Sequence, residues 1–278
     1  MRKIRIAADS SCDLFNLKHT EFACAPLKII TADQEFTDDP SLDVDAMTDH
    51  FAAYRGKSQS SCPNTADWLR AFGDADDVFC VTITSGLSGS YNAANTARQI
   101  YESEHEGRRV FVLDTLSAGP EITLVVKKLD EYIETGMAYE EICDAIKTYL
   151  QKTGLVFMLK SLKTLANNGR VSHITAKLVG MAGICIIGKA STEGTLEPMH
   201  KCRGERHSLE VLTETLVAEG FRSGKVSIGH CQNQPAAEQL KALILAKCSE
   251  AEVEIHRLGG LCSFYAEKGG VLVGFEKA

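Results

Sequence analysis

The sequence predicts a two-domain α/β protein, with a mostly parallel sheet and packed helices over residues 1–152 and an α+β unit over 153–278. Three observations carry this. Short β-branched segments such as IRIAAD, DVFCVTIT and RRVFVLDT alternate with amphipathic stretches through the first half, which is how strands buried beneath crossover helices read. Near residue 153 the pattern changes to glycine-spaced apolar residues, a turn, and strands and helices in a different order. The chain has 278 residues, 44% of them apolar and 24% charged, enough for two ordinary domains with a substantial core.

Taken in order, KIRIAADSS is a strand ending in Asp9-Ser10-Ser11. ACAPLKIITA predicts a second strand and EFTDDPSLD an acidic loop. DVDAMTDHFAAY is a helix whose Asp-rich start suits the helix dipole. The polar stretch GKSQSSCPNTAD enters the helix ADWLRAFGDA. DVFCVTIT is a buried strand, SGLSGS its turn, and SYNAANTARQIYE a helix with small residues on one side. RRVFVLDT is a further strand ending in Asp114-Thr115, followed by two amphipathic helices, PEITLVVKKLDEYIETG and AYEEICDAIKTYLQKTG. The alternation implies a Rossmann-like parallel sheet. The second half opens with LVFMLKSLKTLANNGRVS, and LVGMAGICIIGKA then leads into the turn STEGTL. A helix around SLEVLTETLVAEG, the strand KVSIGH, the helix PAAEQLKALILAKCS, the strand EVEIHRL and a last strand VLVGF complete it. Without a repeat or a low-complexity linker, the two domains are expected to pack closely.

The bulk properties exclude several classes. A net charge of -7 offers no attractive field to a phosphate backbone, and no basic recognition helix is present, so a nucleic-acid partner is not expected. No apolar run approaches eighteen residues, and MRKIRIAADSS reads as a strand start, so no membrane insertion is expected. The ten cysteines lack the close spacing of a zinc or redox site. No metal is expected, and reduced thiols fit a cytoplasm. Cys80, Cys143 and Cys185 lie in apolar stretches and read as small core residues. His173, His230 and His256 stand singly in mixed contexts, as satisfied residues rather than general bases.

One seam stands out. In VTITSGLSGSYNAAN, the hydroxyls of Thr84, Ser85, Ser88 and Ser90 and two glycines lie where a buried strand gives way to a helix. A helix N-terminus presents unpaired N–H groups and a partial positive charge. A cap alone needs one serine, so the surplus points to a polar ligand. Asp9-Ser10-Ser11, Thr84-Ser85 with Ser88, and Asp114-Thr115 all end strands. In open parallel sheets, ligands bind outside the carboxyl ends of strands, so these groups are expected to converge at one edge, although each singly serves as a helix cap. Gly86-Leu87-Ser88-Gly89-Ser90 misses the esterase elbow by one position, and there is no Walker A, Rossmann G-x-G-x-x-G or H-E-x-x-H pattern. Donors for an anion without visible catalytic machinery point to binding. The alternative is an enzyme acting on a small phosphorylated or carboxylated substrate at the same helix N-terminus.

IAADSSCDL, SSCPNTADW, ITSGLSGSYNAA, VLDTLSAG, SLKTLANNGRVS and EGTLEPMHKCRGERHSL, in this order, resemble the successive motifs of the DegV family from about residue 4 to the C-terminus. The resemblance implies a non-catalytic two-domain protein that holds one long-chain fatty acid between its domains, without a cofactor. Where a fatty acid kinase exists, such proteins present the acyl carboxylate to a separate kinase subunit. The implied carboxylate contacts are Ser60 and Ser61 in the hydroxyl-rich loop before a helix, Ser88 of SGLSG with the Gly89 N–H, and Arg170 of NNGR. Two departures stand out. Tyr265 of SFYAEKGG falls where many members carry a histidine, and a phenol donates a hydrogen bond without titrating near neutrality. Ile186-Ile187 replaces the family's Lys-Pro and reads as an ordinary core strand.

Overall fold

The structure is a computed structural model that describes residues 2–172 and 183–278. His173 and residues 178–182, the start of LVGMAGICIIGKA, lie outside the described residues. The first half runs β1 (Ile4–Asp9), β2 (Glu21–Ala25), β3 (Lys28–Thr31), β4 (Glu35–Thr37), α1 (Val44–Ala53), β5 (Ser58–Ser61), α2 (Thr65–Phe72) and β6 (Asp77–Thr82), then α3 (Ser90–Glu104), β7 (Arg109–Asp114), α4 (Pro120–Glu134) and α5 (Tyr139–Gln151). The second half runs β8 (Thr153–Leu159), α6 (Lys163–Asn167), β9 (Ile184–Ala190), β10 (Leu196–Arg203), α7 (Glu205–Ala218) and β11 (Lys225–His230), then α8 (Gln234–Lys247), β12 (Glu252–Arg257), α9 (Gly260–Ala266) and β13 (Val271–Glu276).

The expected parallel sheet is present as four strands in the order β2-β1-β6-β7, every pair parallel. Strand β6 is buried along its whole length, as its unbroken apolar run requires. Helix α3 turns Ala94 and Ala97 inward, so it can lie close to the sheet. The second half builds a six-stranded mixed sheet, β10-β9-β8-β13-β11-β12, in which only β11 and β12 pair in parallel. Every strand of this sheet follows residue 152, and every strand of the parallel sheet precedes it.

A third, three-stranded antiparallel sheet, β4-β3-β5, was not legible in the sequence. The expected single strand ACAPLKIITA breaks at Pro26, which has no N–H to donate to a ladder. Its first part joins the parallel sheet, and Leu27 turns away with its N–H on Ser10 Oγ at 3.0 Å. EFT, expected in an acidic loop, is a strand against the second part. SQSS, expected within a polar connection, is also a strand, pairing Ser60 with Ile29 and Ser61 with Lys28.

Helix α4 lies between the two large sheets, which explains why residues 120–126 are all buried. Strand β13 meets its backbone directly: a Cβ on Gly274 would lie 2.4 Å from Pro120 C and Glu121 N. The β9–β10 turn closes a second contact between the halves. There Thr84 Oγ1 donates to Gly194 O at 2.8 Å, and Gly194, at a φ of +73°, has no room for a side chain. Cys80, Cys143 and Cys185 are buried, as expected.

Candidate functional site

A cavity of about 300 Å³ lies between the two large sheets, at the lower end of the ~300–1,000 Å³ usual for ligand sites. Its walls come from both halves. Leu155, Phe157 and Leu159 of β8, with Leu165, Leu196 and Leu272, form an apolar wall on the second-half side. Leu27, Ile83 and Leu87 face them from the first half. The alternation along β8 explains the wall, because every second residue of a strand points to the same face.

The polar residues are concentrated in one group. Ser60, Ser61, Ser88, Gly89, Arg170 and Tyr265 all line this cavity, so the fold brings together six residues that are separated by up to 205 positions in sequence. Ser60 Oγ and Tyr265 Oη form a 2.6 Å hydrogen bond across the junction of the halves. Arg170 is held by its own turn, with Nη1 donating to Asn168 O at 2.6 Å, and by the SGLSGS loop of the first half, with Nε donating to Leu87 O at 3.2 Å. Its guanidinium lies 5.9 Å from the centre of the Tyr265 ring. Burial pushes the Tyr265 phenol up, against smaller opposing effects of Ser60 and Arg170, so it remains a neutral donor at physiological pH. Ser88 Oγ accepts from Ser90 N–H at 3.3 Å, which leaves its hydroxyl proton free to point into the cavity. Gly89 is the N-cap residue of α3, and a Cβ there would come within 3.2 Å of Cys62 Sγ.

The expected convergence of strand-end hydroxyls is corrected by the structure. Most of these groups are consumed in joining the strands to one another. Asp9 is fully buried and accepts from Ser11 Oγ, from Ser90 Oγ at 2.6 Å and from Ile83 N–H at 2.9 Å. Desolvation pushes its carboxyl up despite these donors. Thr84 bonds Gly194, Thr115 Oγ1 donates to Thr82 O, and Asp114 accepts from Ser85 N–H. Of the four hydroxyls at the SGLSGS seam, only Ser88 lines the cavity. Ile186 and Ile187 are core residues of β9, as expected, and do not line it.

Three contributors were missed. Cys62 lines the cavity beside Ser61, with its thiol pushed up chiefly by burial. Asp13 and Asp38 act at a distance: α9, which carries Tyr265, begins with N–H groups that meet these first-half acids. Gly259 N–H donates to Asp13 Oδ1 at 2.8 Å, Gly260 N–H to Asp38 Oδ1 at 2.7 Å and Leu261 N–H to Asp38 Oδ2 at 2.9 Å. This cap is more than two hundred residues away in sequence, and no local signal announces it. Burial raises the Asp38 carboxyl to about 6. Among the described residues no cluster of three metal-ligating side chains occurs, and no helix is long and apolar enough to cross a membrane.

The family model described as "Uncharacterised protein, DegV family" matches residues 3–278. The chain belongs to the DegV family. A DegV domain-containing protein of Streptococcus pneumoniae is 42% identical over 276 residues, 98% of either chain. Two solved DegV structures are similar throughout. The Eubacterium eligens protein, loaded with heptadecanoic acid, has a TM-score of 0.96 at 42% identity, covering 99% of this chain and all of the other. The Streptococcus pneumoniae Fatty Acid Kinase (Fak) B3 protein, loaded with linoleic acid, has a TM-score of 0.97 at 41% identity, again over 99% of this chain and all of the other.

Proposed function

We propose that this DegV protein binds one long-chain fatty acid, with no cofactor and no chemistry of its own, and presents its carboxylate to a separate fatty acid kinase subunit. The observation that carries the reading is the grouping of hydroxyls and one guanidinium on an otherwise apolar cavity. A carboxylate is stabilised by several charge-assisted hydrogen bonds, and Ser60, Ser61, Ser88, the Gly89 N–H, Arg170 and Tyr265 supply them. An alkyl tail gains roughly 0.8 kcal/mol per buried CH₂, and the leucine walls receive it. The first 152 residues then form the domain that supplies most carboxylate contacts, and residues 153–278 the domain that supplies most of the tail wall. The fatty acids in the two similar structures support the ligand class, and the Fak B3 likeness supports the kinase partner. Among the described residues no histidine, aspartate or glutamate lines the cavity, so none of them offers Ser88 a general base there, which favours a carrier over a hydrolase. Ten free thiols support a cytoplasmic setting.

Native mass spectrometry of the purified protein, followed by extraction, is expected to release a fatty acid at one per chain. Ser88→Ala is expected to weaken palmitate binding about tenfold to a hundredfold, the effect of losing one hydrogen bond to a charged group. A protein that purifies bare and refuses added palmitate and oleate at micromolar concentration overturns the reading.

A further inference from the structure

Of the free thiols, two face each other across a strand pair, and among the described residues no other two do. Cys185 of β9 and Cys202 of the edge strand β10 are distant in sequence but directly opposite in the antiparallel register. Both are buried in the core cluster that holds Val156 and Met158, so they lie on the sheet face turned away from the cavity-lining residues of β8. Gly204 N–H donates to Gly183 O at 2.9 Å, two positions further along the same register. By the alternation of an antiparallel ladder the cysteines are then a hydrogen-bonded pair too, with Cα atoms about 5.5 Å apart. A disulfide spans Cα separations of roughly 4.4–6.8 Å, so the backbone stands at bridging distance. The Cβ atoms of opposed residues are about 4.5–5.5 Å apart, whereas a disulfide requires roughly 3.5–4.5 Å. Closing the bond draws the strands together and stores strain, which makes such a bond easy to reduce.

Burial pushes the Cys202 thiol up, with the neighbouring Cys185 as a second cause, so the pair is unreactive while the ladder is closed. Strand β10 is paired on one side only, with β9, and Glu197 to Lys201 and Arg203 are all exposed around the buried Cys202. When this strand end frays, the thiol emerges between Lys201 and Arg203, which favour the thiolate and an anionic co-reactant. We propose that Cys185 and Cys202 are a reversible redox site, a cross-strand dithiol that a low-molecular-weight disulfide of the oxidised glutathione class converts to a protein disulfide. The Cys202 thiolate attacks one sulfur of the glutathione disulfide, giving a mixed disulfide and one glutathione thiolate. The Cys185 thiolate then attacks the Cys202 sulfur, forming the intramolecular bond and releasing the second glutathione thiolate. The two thiol protons pass to the two glutathiones, so the protein dithiol is oxidised by two electrons and the small disulfide is reduced. The new bond fixes the open end of the β9–β10 hairpin, whose turn holds Gly194 against Thr84 and whose Leu196 lines the cavity.

The test treats the purified full chain with oxidised glutathione and maps its disulfides by peptide mass spectrometry without reduction. The expected product is a Cys185–Cys202 bond formed ahead of any other intramolecular bond and reversed by excess reduced glutathione. Amide hydrogen exchange in the hairpin is expected to slow about tenfold or more in the oxidised chain. Cys185→Ala is expected to stop at the mixed disulfide on Cys202, and the wild-type results stand without this variant if it fails to fold. Earlier bridging of another cysteine pair overturns the proposal. So does a wild type that takes up only mixed disulfides, or that forms the bond only in urea that unfolds it. A bond that excess reduced glutathione leaves intact is structural, which overturns the reversible site, and unchanged hairpin exchange overturns the pinning.

Discussion

At the scale of single residues, the site is set by which hydroxyls the fold leaves unspent. Ser90, Ser11, Thr84 and Thr115 all look available in the sequence, yet each is bonded to a backbone carbonyl or to Asp9. Ser88 escapes because, among the described residues, its Oγ takes only the Ser90 N–H. Local sequence identifies a polar seam but not the partners of its hydroxyls, which come from other strands. Tyr265 has a consequence for pH. The proposed carboxylate contacts contain no side chain that titrates near neutrality, because burial raises the phenol and the others are hydroxyls, a backbone N–H and a guanidinium. Palmitate affinity is expected to stay flat from pH 6 to 8. Tyr265→His introduces a group of ordinary pKa about 6.5, whose charged form favours an anion. In that variant affinity is expected to fall as pH rises through this range. A sloping wild-type profile, or a flat one for the variant, contradicts the assignment of Tyr265 to the carboxylate.

At the scale of elements, what was legible divides by the range of the interactions that make each one. The parallel strands, the long helices and the strand β6 with its turn follow from apolar runs and periodicity, and they were readable. The three-stranded sheet was not, because SQSS and EFT have no apolar alternation of their own and are strands only by pairing with β3. Helix α9 escaped for a related reason: seven residues starting with glycine form no isolated helix, and the caps lie in the other half. Asp38 makes that cap testable. Its carboxyl, ordinarily at 3.8, stands at about 6 in the fold. A raised carboxyl favours the folded state below pH 3.8, and the benefit is lost as pH rises through about 6. The stability of wild type relative to Asp38→Asn, from urea unfolding, is therefore expected to decline by roughly 1 kcal/mol between pH 5 and 7. Parallel profiles would mean that the carboxyl titrates normally and is not buried beneath α9.

At the scale of the whole molecule, the order of motifs in the sequence led to the expectation of two units with a ligand between them, but not to how the units are joined. Three of the contacts that join them are α4 pressed between the sheets, the β9–β10 turn on the SGLSGS loop, and α9 docked on Asp13 and Asp38. The third has a kinetic consequence. Helix α9 is at once part of the cavity wall, through Leu261, Cys262, Tyr265 and Ala266, and part of the seam between the halves. On the fatty acid reading, an alkyl chain that leaves past α9 does so only when the three amide-to-carboxylate bonds at its start open. Exchange of a loaded fatty acid is then governed by the protein's own breathing. Its measured rate is expected to be independent of the concentration of competing lipid and to rise in Asp38→Asn. Occupancy becomes a matter of residence time, and a molecule that keeps its cargo this way hands it on only when something else loosens the seam.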